Sequence, residues 1–149
     1  MITDGVMLRL EVNSFWMVQA DGELTKWYKA HAQKFDIKIK DPNVWVTQVQ
    51  GPNSFDLLSD VIDGDFLELW QYFGIAPVRI ADEDVIISRT GFSNELGWKF
   101  YLRPKNNAEK IVNRIWEVSQ AYSMMLTGTP VFRSRRIEAG LMFQAEFDE

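Results

Sequence analysis

The stretch SRTGFSNELGWKFYL, which begins at residue 88, holds residue types that suit a small-molecule site. Gly91 and Gly97 are each followed by an aromatic residue, Phe92 and Trp98 respectively. Glycine permits positive φ angles or a close approach of the backbone to another group. The pattern alone indicates a strand, a polar turn and a second strand. A plain hairpin connection is the hypothesis that this pattern favours, and a ligand-binding loop is the alternative.

A basic cluster in an otherwise acidic chain is the second chemically capable set, and it consists of Arg133, Arg135 and Arg136. A guanidinium group can hold a carboxylate through two parallel hydrogen bonds. The alternative is that these side chains pair with Glu138 or with other nearby acids, which would make the cluster structural.

Other kinds of site find little support in the residue types. The chain has one histidine, His31, and no cysteine, which excludes disulfides, thiolate catalysis and cysteine-based zinc sites. We interpret His31 as a surface or packed side chain. The acidic residues Asp60, Asp63 and Asp65 lack the spacing of a calcium loop, so we interpret them as a solvated turn.

Composition restricts the partners of the chain. Its 149 residues include 46% apolar and 25% charged residues, which is typical of a folded domain with its own core. The net charge of −5 argues against nucleic acid as the main partner, because the phosphate backbone attracts basic surfaces. No apolar run is long enough to span a membrane, and the start MITDGVML does not look like a signal peptide. We therefore expect a cytoplasmic protein.

Apolar periodicity predicts a mixture of strands and helices. Strands are predicted over 6–10, 15–18, 35–39, 44–49, 78–80, 85–88 and 98–102. Helices are predicted over 24–32, with Asp21 or Gly22 as the cap, and over 54–62, 66–72, 106–122 and 135–143, the last with Gly140 inside it. Hairpins imply antiparallel pairing, so the expected fold class is α+β, with antiparallel sheets, helices and ferredoxin-like split βαβ pieces. We expect one domain over 1–149, which could consist of two intimate subdomains that meet near 76–80.

Several segments resemble one family in the same order along the chain. SRTGFSNELGWKFYL resembles the signature R-T-G-Y-x-G-E-x-G-[FW]-E-[IL]-Y of the aminomethyltransferase family, which includes the glycine cleavage system T protein and dimethylsulfoniopropionate demethylase. VTQVQGPNSFDLL resembles the V-Q-G-P segment of that family, and RRIEAGLMFQAEFDE resembles its L-R-L-E-A-G-L helix. ITDGVMLRL and FWMVQADGELTKW are most similar to the demethylase branch. The resemblance covers nearly the whole chain.

The resemblance implies a protein that binds tetrahydrofolate in a three-lobed disc and transfers a methyl or aminomethyl carbon to it. The chain would correspond to the central part of such a protein, with the C-terminal barrel lobe absent. The implied cofactor-binding residues are Phe92, Glu95, Trp98, Lys99, Tyr101 and Arg136, and the implied acid or base is Glu23 or Asp21. The partner would be a small methyl or aminomethyl donor, and truncation predicts exposed apolar surface and hence a homo-oligomer.

One departure from the family pattern affects the cofactor. Lys99 stands where the family has a glutamate that hydrogen-bonds the amino-pyrimidine edge of the pterin. A carboxylate accepts hydrogen bonds, whereas an ammonium group only donates them. Two hypotheses therefore remain open. The chain is a folate-dependent one-carbon transferase or a fragment of one, or it is a non-catalytic remnant that acts as a binding or assembly module and is inactive in isolation.

Overall fold

A computed structural model describes residues 5–19, 24–64, 71–142 and 146. Its contacts divide the chain into two compact units, of which one contains residues 1–43 and 143–149 and the other contains residues 44–142. The division therefore falls after Asn43, and the boundary predicted near 76–80 lies inside a strand of the second unit. The two units are described separately below.

The first unit begins with a hairpin of β1 (Gly5–Glu11) and β2 (Ser14–Gln19). The strands are antiparallel, and Leu8 lies opposite Trp16. Leu8 is buried, whereas its neighbours Met7 and Arg9 are exposed, as alternation along a strand requires. Helix α1 (Leu24–His31) continues into a short 3-10 turn. The predicted cap at Asp21 or Gly22 lies outside the described residues.

The strand predicted over 35–39 is wrong. Phe35 has an extended backbone, with φ −120° and ψ 142°, but the described residues provide no neighbouring strand for this segment. Instead, the Ile37 N–H donates to the Phe35 carbonyl at 3.0 Å. Phe35 and Ile37 are 68% and 60% exposed. Alternation of side chains predicts an extended backbone, but a strand also needs partners for its backbone N–H and C=O groups.

The second unit contains a four-stranded antiparallel sheet in the order β3-β6-β5-β4. Its strands are β3 (Trp45–Gln50), β4 (Ile75–Ile80), β5 (Glu83–Ser88) and β6 (Gly97–Leu102). Its helices are α2 (Ser54–Val61), α3 (Ala108–Ser119) and α4 (Thr129–Glu138). The predicted α+β class with antiparallel sheets is confirmed. The helix predicted over 66–72 lies largely outside the described residues, and Tyr72 is in a turn.

Helices α2 and α3 close one face of this sheet. The core contains Leu57, Leu58 and Val61 of α2, Ile111 and Ile115 of α3, and Val85, Ile87, Trp98, Phe100 and Leu102 of β5 and β6. We name this side of the sheet the helix-covered face. The apolar stripe predicted on α3 is buried only in part, because Val112 and Trp116 remain 44% and 41% exposed.

The other side of the sheet is named the polar face, and its defining residues are Gln48, Gln50, Ser88, Lys99 and Tyr101. Neighbours along a strand point to opposite sides, so each residue of β6 that follows a core residue belongs to this face. Five of its side chains therefore come from three adjacent strands, which brings polar groups together that are far apart along the chain.

The last predicted helix, 135–143, has the wrong boundaries. Helix α4 begins at Thr129, with Pro130 in its first turn, and ends at Glu138. Proline suits this position because its fixed φ is helical and its missing N–H would lack a partner there anyway. Gly140 lies beyond the helix with φ +69°, and the Gly140 and Leu141 N–H groups donate to Ile137 and Arg136 carbonyls at 3.0 and 2.8 Å. This glycine therefore ends the helix rather than weakening its interior.

Candidate functional site

The loop between β5 and β6 packs closely on Gln50, and this explains its two glycines. A Cβ atom at Gly91 would lie 2.6 Å from Gln50 Nε2, and one at Gly97 would lie 2.9 Å from Gln50 Cγ. Neither glycine has a positive φ angle. The spacing of the glycines therefore provides room for one side chain from β3, and not a special turn conformation.

Hydrogen bonds extend this contact into a chain of polar groups. Ser93 Oγ donates to Gln50 Oε1, and Gln50 Nε2 donates to Gln48 Oε1 at 3.2 Å. The Leu96 carbonyl accepts from the Gly51 N–H at 2.8 Å and from Ser54 Oγ at 3.0 Å. The β5–β6 loop, which carries the R-T-G-like motif, is thus fixed to the end of β3 and the start of α2, which carry the V-Q-G-P-like motif.

A cluster of buried hydroxyl groups occupies the centre of the polar face. Ser88 Oγ lies 3.0 Å from Tyr101 Oη and 2.7 Å from Thr90 Oγ1, and all three residues are at most 3% exposed. Burial raises the pKa of Tyr101, and its hydrogen bonds to Ser88 and Thr90 oppose that shift in part. The phenol is therefore neutral at pH 7 and can both donate and accept.

Lys99 lies beside this cluster and is half-buried. Its partners in register are Gln48 on β3 and Ser88 on β5, neither of which carries a charge. Burial lowers the pKa of Lys99, because an ammonium group loses hydration there. In the described part of the chain, no ion pair or hydrogen bond involves the Lys99 ammonium group.

Two of the three clustered arginines are held within the second unit. Arg135 forms ion pairs with Glu138 and with Glu95 of the β5–β6 loop. Arg136 is 7% exposed, and its Nη1 donates to the Leu141 carbonyl at 2.9 Å. Arg133 is exposed. Pairing with Glu138, the structural alternative for this cluster, is therefore confirmed for Arg135.

The predicted site residues fall into separate groups. Lys99 and Tyr101 share the polar face, and the half-buried Phe92 and Glu95 lie in the adjoining loop. Trp98 instead belongs to the helix-covered face, where its ring centroid lies 6.4 Å from that of Phe55. The predicted acids Asp21 and Glu23 lie outside the described residues.

Gln48 and Gln50 are the residues that reasoning from the sequence missed. Both belong to the segment VTQVQ, where polar and apolar residues alternate. Alternation of this kind places the two glutamines on one face of a strand, so the sequence does indicate that they share a face. Their contact with the β5–β6 loop depends on tertiary structure and has no local signal.

Other features of the described residues provide no competing site. No group of three potential metal ligands occurs among them, and none of their helices is long and apolar enough to cross a membrane. His31 stacks on Trp27 with a centroid distance of 4.1 Å, as expected for a packed side chain. An open depression of about 250 Å³ in the first unit contains none of the predicted site residues and is lined by Lys29, Ala32, Gln33, Phe35, Ile37 and Ile39.

Comparison with known proteins establishes the family. The model of the GCVT N-terminal domain matches residues 1–149. The chain belongs to this family. It is 34% identical over 155 residues to a trimethylamine-oxide aldolase of Ruegeria pomeroyi, a match that covers 96% of this chain and 19% of that relative. The chain thus spans about a fifth of the length of this curated member, and the predicted aminomethyltransferase resemblance is confirmed.

A solved structure supports the fold of this GCVT-type chain. The heterotetrameric sarcosine oxidase from Corynebacterium sp. U-96, in complex with pyrrole 2-carboxylate, is similar with a TM-score of 0.67. The match has 18% sequence identity and covers 85% of this chain and 65% of that one. At this identity the likeness concerns the fold alone.

Proposed function

We propose that this chain forms one wall of a tetrahydrofolate-binding cavity in a one-carbon transferase of the GCVT family. The observation that carries the proposal is the packing of the β5–β6 loop on Gln50, which joins the two family-like motifs into one polar surface. The family match over the full chain supports the same conclusion. The proposal includes the transfer of a methyl or aminomethyl group.

The residues of this surface suit the binding of a flat heterocycle. Phe92 retains the aromatic ring of the family's tyrosine and would stack on the heterocycle. Lys99 offers an ammonium donor that would meet carbonyl or ring-nitrogen acceptors, and the buried, neutral Tyr101 hydroxyl would hold Ser88 in place beside it. Their contribution would be to hold the cofactor in place, so that a donated carbon reaches it in the correct orientation. Asp21 and Glu23 stay the predicted acid or base.

Lys99 and Glu95 favour a second function, which is binding or assembly without catalysis. Lys99 cannot accept the two hydrogen bonds that the family glutamate accepts, and Glu95 is paired with Arg135. Both features fit a non-catalytic member that uses this fold for binding or assembly. Trp45, Met125 and Leu126 are 75%, 84% and 82% exposed, which supports a homo-oligomer. A monomer in light scattering at high protein concentration would contradict self-association.

Calorimetric titration tests the folate proposal. The ligand is 5-formyltetrahydrofolate, a stable form of the cofactor, added to the native chain, to Lys99→Glu and to Lys105→Glu as an exposed control. We expect saturable micromolar binding by the native chain and the control. Binding by Lys99→Glu should be about tenfold tighter, because a carboxylate restores the acceptors for the pterin. Absence of binding in all three proteins would reject the folate proposal and favour the assembly module.

A further inference from the structure

Gln48 and Lys99 form a cross-strand pair on the polar face. They lie directly opposite each other in the β3–β6 register. The Cβ atoms of such pairs are roughly 4.5–5.5 Å apart, so their side chains can serve one ligand group together. Both residues are half-buried, which leaves a path from solvent.

Both side chains retain hydrogen-bond donors that the described residues do not use. The Gln48 amide oxygen accepts from Gln50 Nε2, so the Gln48 amide nitrogen remains as a donor. Lys99 contributes an ammonium group with three N–H bonds. Ser88, which lies opposite Lys99 on β5, already bonds to Tyr101 and Thr90, and Glu95 of the β5–β6 loop already pairs with Arg135. A partly desolvated cation without an acceptor is costly unless a ligand supplies one.

We propose that Gln48 and Lys99 form a subsite for the carboxylate group of a small molecule. Two neighbouring donors match the two oxygens of one carboxylate. One ammonium group balances one negative charge, whereas a phosphate dianion would leave an excess negative charge among neutral groups. This subsite goes beyond the proposed one-carbon function, because it does not require a pterin. A carboxylate bound here would compete with a pterin for the same lysine.

Titration with sodium benzoate tests the subsite, with neutral benzamide as the matched probe and ionic strength held constant with chloride. The native chain should bind benzoate in the millimolar range and benzamide at least tenfold more weakly. Lys99→Met should weaken benzoate binding at least tenfold, and Gln48→Leu about fivefold, as expected for a charge-assisted and a neutral hydrogen bond. Lys99→Arg, which keeps the charge, and the exposed control Lys105→Met should stay within about threefold of the native affinity.

Three results would overturn the subsite: equal affinity for benzoate and benzamide, unchanged benzoate binding in folded Lys99→Met, or tighter binding of inorganic phosphate than of benzoate. A native-like circular dichroism spectrum shows that each variant is folded, and Lys99→Gln replaces Lys99→Met if that variant does not fold. Competition with 5-formyltetrahydrofolate shows whether the folate and the carboxylate ligand occupy the same place. Displacement of benzoate would indicate that the two ligands share the contact with Lys99, and simultaneous binding would indicate that the folate lies elsewhere on the chain; both results support the subsite. Benzoate binding without any folate binding would reject the folate proposal alone.

Discussion

The two faces of the four-stranded sheet differ in how completely their side chains are satisfied within the protein. On the helix-covered face, Ile87 and Phe100 are at most 1% exposed and pack against α2 and α3. On the polar face, the adjacent residues of the same strands are Ser88 and Lys99. Lys99 retains N–H donors that no other described residue uses. A step of one residue along a strand therefore separates a structural role from a candidate binding role.

This difference explains why the family-like signature contains both kinds of residue. In the sequence GWKFYL, Trp98, Phe100 and Leu102 belong to the core, whereas Lys99 and Tyr101 belong to the polar face. A signature of this type constrains the packing of the sheet and its surface chemistry at the same time. Substitutions on the two faces should therefore affect different measured quantities, which are the free energy of unfolding on one face and ligand affinity on the other.

The largest expected effect is on the helix-covered face. Phe100→Ala should lower the free energy of unfolding by about 3–5 kcal/mol, because it removes a buried ring and leaves a cavity. Denaturant unfolding measures the change. The control is Val46→Ala on the polar face, where Val46 is 46% exposed. This variant should lower the free energy of unfolding by less than about 1 kcal/mol. Similar losses of unfolding free energy in both variants would contradict the proposed difference between the two faces.

The second effect concerns the contact between the β5–β6 loop and Gln50. Gly97→Ala should lower the free energy of unfolding by about 1–3 kcal/mol, because its Cβ would overlap Gln50 Cγ. The double variant with Gln50→Ala should recover part of this loss, since the obstructing side chain is gone. Gly128→Ala is the control, because its Cβ would meet Pro130 Cδ at an ordinary 3.6 Å. No recovery in the double variant would mean that another contact excludes a side chain at residue 97.

A smaller effect is expected at the hydroxyl cluster. Tyr101→Phe should lower the free energy of unfolding by about 0.5–1.5 kcal/mol through loss of the bond to Ser88. Burial raises the pKa of Tyr101 above its usual 10.0, so this tyrosine's stabilising contribution is complete below pH 10 and is lost as pH rises towards the raised pKa. Unfolding measured between pH 9 and 11 should show a steeper decline for the native chain than for Tyr101→Phe. Parallel curves would place the phenol in contact with solvent.

The smallest effect on stability is expected at Lys99. Burial lowers its pKa below the usual 10.5, so the charged form destabilises the native state at neutral pH. This cost disappears as pH rises from the lowered pKa towards 10.5, so the stability of the native chain should rise over this range relative to that of Lys99→Met. At pH 7, Lys99→Met should be slightly more stable than the native chain, because it lacks the buried charge. Lys105→Met is the exposed control and should change stability with pH as the native chain does. A loss of stability in Lys99→Met at pH 7 would show that the ammonium group has a favourable partner.

Local patterns in the sequence predicted most of the second unit. Alternation and apolar runs located β3, β5 and β6, and helical spacing located α2 and α3, because each of these segments has one side in a shared core. The same patterns were wrong over 35–39, where alternation occurs without a neighbouring strand. They also placed Gly140 inside a helix that it ends, because periodicity alone does not reveal a positive φ angle.

The candidate site was less predictable from the sequence than the fold. The resemblance identified Phe92, Lys99 and Tyr101, but the role of Gly91 and Gly97 depends on Gln50, about 40 residues earlier in the chain. The pairing of Glu95 with Arg135 likewise joins segments that are distant in sequence. Contacts of this kind follow from the tertiary fold, and the spacing of residue types within one segment does not contain them.

The most direct test of the polar face as the ligand-binding face is a titration monitored by methyl NMR. Ile86 lies opposite Tyr101 and belongs to the polar face, whereas its neighbour Ile87 is fully buried on the helix-covered face. With methyl-labelled isoleucine and added 5-formyltetrahydrofolate, we expect saturable shifts at Ile86 and little change at Ile87. Shifts confined to the first unit, or an unchanged Ile86 signal at saturation, would contradict the assignment of ligand binding to the polar face.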